Sequence, residues 1–385
     1  MERRFARRML LFYGGYFVCG GIAVPFFPVW LQAQGLTAVE IASVTAIPTL
    51  IRVFLTPLAG LFADRAPNRR FATIALTIPA FFIFLLMWPA RTYWPILLIS
   101  GASFTLWALA LPVAEALALT GVRRFGLDYG RMRLGGSVAY VITNVGAGTL
   151  IGLLHPEAIF WLVVLALALS VVVSFNLPVT PPAVRAADDA ARPVAAPVGK
   201  VLRQPAFLAL IVVGAIIQSS HAVLYSFGSI HWTALGFSGV EIGAFWAMGV
   251  CCEILVFTFS QRLVGIFGPY GLLVAGGLAA IVRWVGLAQN PGFIITALLS
   301  CLHGLTFGAV YVGNQHAIAR TVPEKATASA QGLFAMVSAV LMAGTTGLAG
   351  VLYRGFNGEA FLFMIPLPVL ALLILFVYRR LWPMP

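Results

Sequence analysis

Apolar runs of eighteen or more residues recur from one end of this chain to the other. At about 1.5 Å per helical residue, such a run crosses the ~30 Å hydrocarbon core of a bilayer. Twelve can be counted, at about 9–31, 41–63, 71–90, 95–120, 134–154, 159–178, 206–230, 241–261, 270–289, 292–317, 330–352 and 360–378. In hydrocarbon each backbone N–H and C=O must be satisfied within its own segment, so every run is expected to be a helix. Composition excludes a water-soluble fold. Only 9% of the 385 residues are charged, where a soluble domain carries about a quarter. The expected fold is an all-α membrane protein with twelve transmembrane helices. MERRFARR ahead of the first run looks like the start of a signal peptide. That run is too long for one, and no small-residue cleavage site follows, so it reads as the first span.

Lys and Arg in the short loops set the expected orientation. With both termini cytoplasmic, the inner segments hold 20 of the 24 basic residues. The outer loops hold Arg91 and Arg354, and two arginines, Arg52 and Arg283, fall inside spans. This asymmetry accounts for the net charge of +12 without any nucleic acid as partner. The four cysteines all lie within spans and behave as small apolar groups.

Three ionisable residues sit deep in successive spans. Counted from the start of its span, Glu253 is twelve residues in, Arg283 thirteen and His303 eleven. That places them roughly 16–20 Å into the membrane, near its middle. A charge there costs at least ~3 kcal/mol even on lenient scales, so three at matching depth point to one shared polar site. Arg52 is similarly deep in the second span, too far in to snorkel, and needs a partner or a wet cavity. Glu115 lies nearer its cytoplasmic end. In the seventh span Gln218, His221 and Tyr225 recur at spacings of three and four and so share one helix face.

The chain repeats itself. Gly35-Leu-Thr-Ala-Val-Glu40-Ile41 matches Gly236-Phe-Ser-Gly-Val-Glu241-Ile242 at an offset of 201, and in each copy the hydroxyl and the Glu look like a helix N-terminal cap. The same offset aligns Arg52 with Glu253. Residues 179–205, rich in Pro and Ala with scattered charge, read as a cytoplasmic linker between two six-helix halves, 1–178 and 206–385.

The turn Gly60-Leu-Phe-Ala-Asp64-Arg65-Ala-Pro-Asn-Arg69-Arg70 resembles the loop signature between the second and third helices of the major facilitator superfamily, with Pro67 in place of its second glycine. Leu127-Asp128-Tyr129-Gly130-Arg131-Met132-Arg133-Leu134-Gly135-Gly136-Ser137 resembles a run of the phenylpropionate permease group, relatives of the lactose and nucleoside permeases. Gln218-x-x-His221, Glu253, Ile281-Val-Arg283-Trp284 and Leu302-His303-Gly304 extend that resemblance through the second half. It implies the major facilitator fold of two pseudo-symmetric six-helix bundles. It also implies gating roles for Asp64 and Arg65, an ion pair at the cytoplasmic mouth between Asp128 and Arg133, and a proton-coupling set Glu253–Arg283–His303. The lactose permease arrangement has a second carboxylate one turn after its histidine. Here Thr306 and Phe307 stand there, so Glu253 or Glu115 must carry the proton.

The expectation is a monomeric secondary transporter, a proton symporter in the inner membrane, whose partners are protons, the lipid bilayer and a small solute. An aromatic monocarboxylate such as 3-phenylpropionate fits two buried arginines, which offer forked donors to a carboxylate. A neutral sugar or nucleoside fits if Glu253 and Glu115 neutralise them, and a non-transporting receptor is the alternative of another class. No cofactor or metal is expected, because no pair of the five histidines has metal-ligand spacing on one helix and no Walker-type loop occurs. An enzyme is not.

Overall fold

The computed structural model describes residues 2–179, 205–322 and 327–381, so the expected linker lies, apart from its two ends, outside the described residues. The described part of the first half is six helices: α1 (Glu2–Ala33), α2 (Ala38–Arg65), α3 (Arg69–Leu85), α4 (Tyr93–Phe125), α5 (Tyr129–Leu153) and α6 (Ala158–Phe175). In the second half follow α7 (Pro205–Ser219), α8 (Ala222–Ala234), α9 (Gly239–Thr258), α10 (Ser260–Ala288), α11 (Phe293–Cys301), α12 (Val310–Thr321), α13 (Thr327–Phe356) and α14 (Pro366–Leu381). Among the described residues there is no strand.

Several of these helices are parts of one span. Ser220 and His221 interrupt Phe207–Ala234, and a π turn, Gly304–Ala309, interrupts Phe293–Thr321. Within α10 the backbone leaves helical geometry at Gly268 (φ 66°, ψ 168°), so the ninth span begins at Pro269. Ten stretches of the described residues are long and apolar enough to cross a membrane. One of them, Ala330–Arg379, contains two spans, and the 17-residue α3 supplies the remaining one. Twelve spans result. The last starts later than the sequence suggests, at Pro366 rather than at residue 360. Asn357 takes a left-handed conformation (φ 47°) that ends α13, and residues Asn357–Met364 then wind as a 3₁₀ segment.

The chain divides into two compact units, Met1–Arg192 with Ser238–Gly243, and Pro193–Phe237 with Ala244–Pro385. In the first, Phe5, Met9, Phe12, Tyr13 and Tyr16 of α1 pack with Leu109, Val113 and Leu117 of α4 and Met132 of α5. Between lipid-facing helices there is no hydrophobic drive, so close packing of small residues must hold them. Gly21 of α1 does this: a Cβ there would lie 3.0 Å from the Tyr140 carbonyl and from Thr143 Cβ of α5. Large apolar side chains such as Phe54, Leu98 and Ile142 point outward, at 65–68% exposure, as in a protein solvated by lipid.

The repeat appears as duplicated geometry. Gly35 and Gly236 both adopt positive φ, 85° and 88°. Thr37 and Ser238 each accept from the backbone of the Glu three residues on, at 3.4 and 3.3 Å, and each Glu returns a bond to the cap N–H, at 2.8 and 2.7 Å. Both are capping boxes, which satisfy N–H groups that the first helical turn leaves without partners.

Candidate functional site

In the first unit Arg52 lies midway along α2, exposed. Thr45, Thr49, Arg52 and Thr56 follow one another at helical spacing, so the guanidinium stands on a polar stripe. The hydroxyls of Thr49 and Thr56 bond back to carbonyls of their own helix, at 2.9 and 2.7 Å, leaving the stripe polar yet locally satisfied. Among the described residues Arg52 has no ion-pair partner. The aromatic group within its electrostatic range is Tyr16, whose ring stacks on Trp107 at 4.4 Å and 8° while its hydroxyl donates to the Trp107 carbonyl.

Glu115 of α4 is paired. Arg133 Nε lies 3.7 Å from its Oε1, and the Tyr129 hydroxyl donates to the same oxygen at 3.4 Å. The Arg133 guanidinium sits over the Phe17 ring at 4.0 Å and the Tyr13 ring at 5.2 Å. This replaces the expected Asp128–Arg133 pair. Asp128 caps α5 by accepting from the Arg131 N–H and pairs with Arg131 at 3.5 Å, one turn along and exposed. Arg133 is left to turn inward. In the α2–α3 turn Asp64 and Arg65 are exposed, whereas Arg69, 3% exposed, donates to Thr120 of α4 at 3.1 Å.

The three deep charges of the second unit meet. His303 Nε2 is 3.5 Å from Glu253 Oε2, and Arg283 Nη1 is 3.2 Å from His303 Nδ1. Arg283 thus reaches Glu253 through the imidazole. Its Nη1 also donates to Thr306 Oγ1 at 3.2 Å, and Thr306 lies 2.9 Å from His221 Nε2. Tyr225 stacks on the His221 ring at 5.5 Å and meets His303 edge-on at 6.4 Å. Gln218 contributes its carbonyl, 3.0 Å from His221 Nδ1, while its buried Nε2 has no partner. Arg283 Nε is likewise buried and unbonded. Thr306 is the member that the sequence left unassigned, noted there only as a departure. Among the described residues no group of three or more His, Cys, Asp and Glu side chains gathers to hold a metal.

Twelve spans in two repeat-related halves, with an ionisable network buried at mid-span in the second, define a membrane transporter of the major facilitator type. The chain belongs to the MFS_1 like family, whose profile matches residues 7–365. It is 30% identical to the "Probable 3-phenylpropionic acid transporter" of Escherichia coli (strain K12), over 90% of this chain and 91% of that one. It is 25% identical to the maltose permease of Geobacillus stearothermophilus, over 96% and 93%. Of solved structures, the nucleoside transporter NupG superposes with a TM-score of 0.80 at 15% identity, covering 99% of this chain and 100% of the other. That last likeness speaks for the fold alone.

Proposed function

We propose that this protein is a proton-coupled symporter of an aromatic monocarboxylate such as 3-phenylpropionate, working by alternating access in a cytoplasmic membrane. The observation that carries the anion is Arg52. It is an exposed mid-span cation on a polar helix face, and among the described residues no carboxylate neutralises it. The other site charges cancel in pairs, Arg133 with Glu115 and, through His303, Arg283 with Glu253. One positive charge is left over, which suits a substrate with one negative charge. The partly exposed Trp107 ring, backed by the buried Tyr16, suits an aromatic body. The 30% identical relative, by its name, handles such an acid.

The proton is assigned to Glu253, with the His303 imidazole facing it at 3.5 Å. A carboxyl group deep in hydrocarbon has few ways to stay charged except through such a neighbour, so loading and unloading a proton follows its surroundings. The excess of Lys and Arg in alternate loops supports cytoplasmic termini. A neutral sugar is the second reading, favoured by the relative named maltose permease and by the neutralised Glu115–Arg133 pair against Tyr13 and Phe17.

The test is uptake of labelled aromatic acids, their amides, sugars and nucleosides into proteoliposomes, with and without an imposed pH gradient. Accumulation of an acid only with the gradient is the expected result. Gradient-independent uptake of a sugar or nucleoside, with no acid transported, contradicts it.

A further inference from the structure

Two irregular helices meet at one hydrogen bond. His221 occupies the break between α7 and α8, although neither proline nor glycine stands there, and Thr306 lies within the π turn. π turns add a residue to the helical turn, shift the side chains beyond it, and occur preferentially at functional positions. Both residues are fully buried, at 0% exposure. A distortion in each of two helices, at the point where they touch and in the first with neither proline nor glycine to force it, calls for a role for that contact.

The direction of every bond can be worked out. A carbonyl only accepts, so His221 bears its hydrogen on Nδ1, toward Gln218 O, and its Nε2 accepts the Thr306 hydroxyl hydrogen. A guanidinium only donates, so Thr306 Oγ1 and His303 Nδ1 both accept from Arg283 Nη1, which uses both its hydrogens. The remaining ring hydrogen of His303 is therefore on Nε2, facing Glu253. Arg283 does not give up a proton at any ordinary pH, so it separates the two histidines rather than wiring them together. Facing His303 are Arg283, Glu253, the Phe307 ring at 5.2 Å, the His221 ring at 5.5 Å and the Tyr225 ring at 6.4 Å.

We propose that Thr306 and His221 are positioning residues for proton coupling, holding Arg283 so that His303 stays in the tautomer that donates to Glu253. The inference rests on the symport reading above and adds to it the part that fixes the geometry of the proton site. Without the Thr306 hydroxyl, one Nη1 hydrogen loses its acceptor in an apolar bundle, and the guanidinium is free to turn toward Glu253. A carboxylate paired directly with a guanidinium holds its proton less firmly. Coupled accumulation should then require more acid conditions.

Two readouts test this, one of them independent of transport. In Thr306→Val the nitrogen-15 imidazole signature of His303 should lose its pure Nε2–H form, and the pH profile of accumulation should move to the acid side by about one unit. Thr306→Ser, which keeps the hydroxyl, should restore both. His221→Phe, which keeps a ring and removes the far anchor of Thr306, should shift both in the same direction, and it serves if the valine variant does not fold. A wild-type tautomer and profile in both Thr306→Val and His221→Phe overturn the proposal. A tautomer change in a protein that never accumulates substrate on a pH gradient supports the positioning role and removes the symport reading instead.

Discussion

The two units handle a mid-span arginine in opposite ways. In the first, Arg52 stands exposed on a face of threonines with no carboxylate beside it among the described residues. In the second, Arg283 is 3% exposed, and both hydrogens of its Nη1 are committed to His303 and Thr306. An uncommitted cation in a place where charge is costly is the basis of the anion proposed for the first unit. A network that ends on a carboxylate has its charge balanced from within, and what it can exchange is a proton. The repeat makes the contrast sharper, because the position of Arg52 in the first half is that of Glu253 in the second.

The largest expected effect breaks the first side of the contrast. Arg52→Ala removes the partner of a desolvated carboxylate, typically ~2–5 kcal/mol or roughly thirtyfold or more in affinity. Binding of an aromatic acid should fall by that factor, while the corresponding amide should bind poorly to the parent and change little. Arg52→Lys, charged but without the planar fork, should fall between. Equal losses for acid and amide would move the account to a neutral substrate. On the other side, Glu253→Gln should abolish accumulation against a gradient and leave substrate exchange across the membrane in place. Full proton-driven accumulation in that variant would make Glu253 a structural counter-ion and put Glu115 next in line.

Smaller effects concern the frame that holds the two sites. Gly21→Val should force α1 away from Tyr140 and Thr143, costing about 1–3 kcal/mol in thermal unfolding assays, as overpacking does. Thr37→Ala and Ser238→Ala should each cost about 0.5–2 kcal/mol, and by similar amounts, since the two caps have the same geometry. The orientation is checked by cysteine labelling. Pro67→Cys should react with an impermeant reagent only from the cytoplasmic side and Phe356→Cys only from outside.

Much of this was legible in the chain itself, for identifiable reasons. Spans announce themselves by length and polarity, and the capping boxes by a hydroxyl three residues ahead of a glutamate. Glu253, Arg283 and His303 could be grouped because charge at mid-membrane depth demands partners. The role of Thr306 was not readable: threonine is common in an apolar helix, and Gly304 and Gly308 of its π turn do not stand out among the many glycines of these spans. Arg133, one residue ahead of the fifth span, reads as a loop residue, whereas its long side chain lies over Phe17 and reaches Glu115. The helix break at Ser220–His221 has no breaker residue to betray it. The threonines flanking Arg52 were visible at spacings of four, three and four, yet weak polarity hides among strong hydrophobic runs.

The division of labour is tested most directly by equilibrium binding of labelled 3-phenylpropionate to purified protein across a range of pH. In the wild type, affinity should vary with pH as Glu253 gains and loses its proton. Glu253→Gln should bind with little dependence on pH, whereas Arg52→Gln should bind weakly at every pH. The reverse pattern, pH dependence intact without Glu253 and affinity intact without Arg52, would contradict the assignment of anion to the first unit and proton to the second.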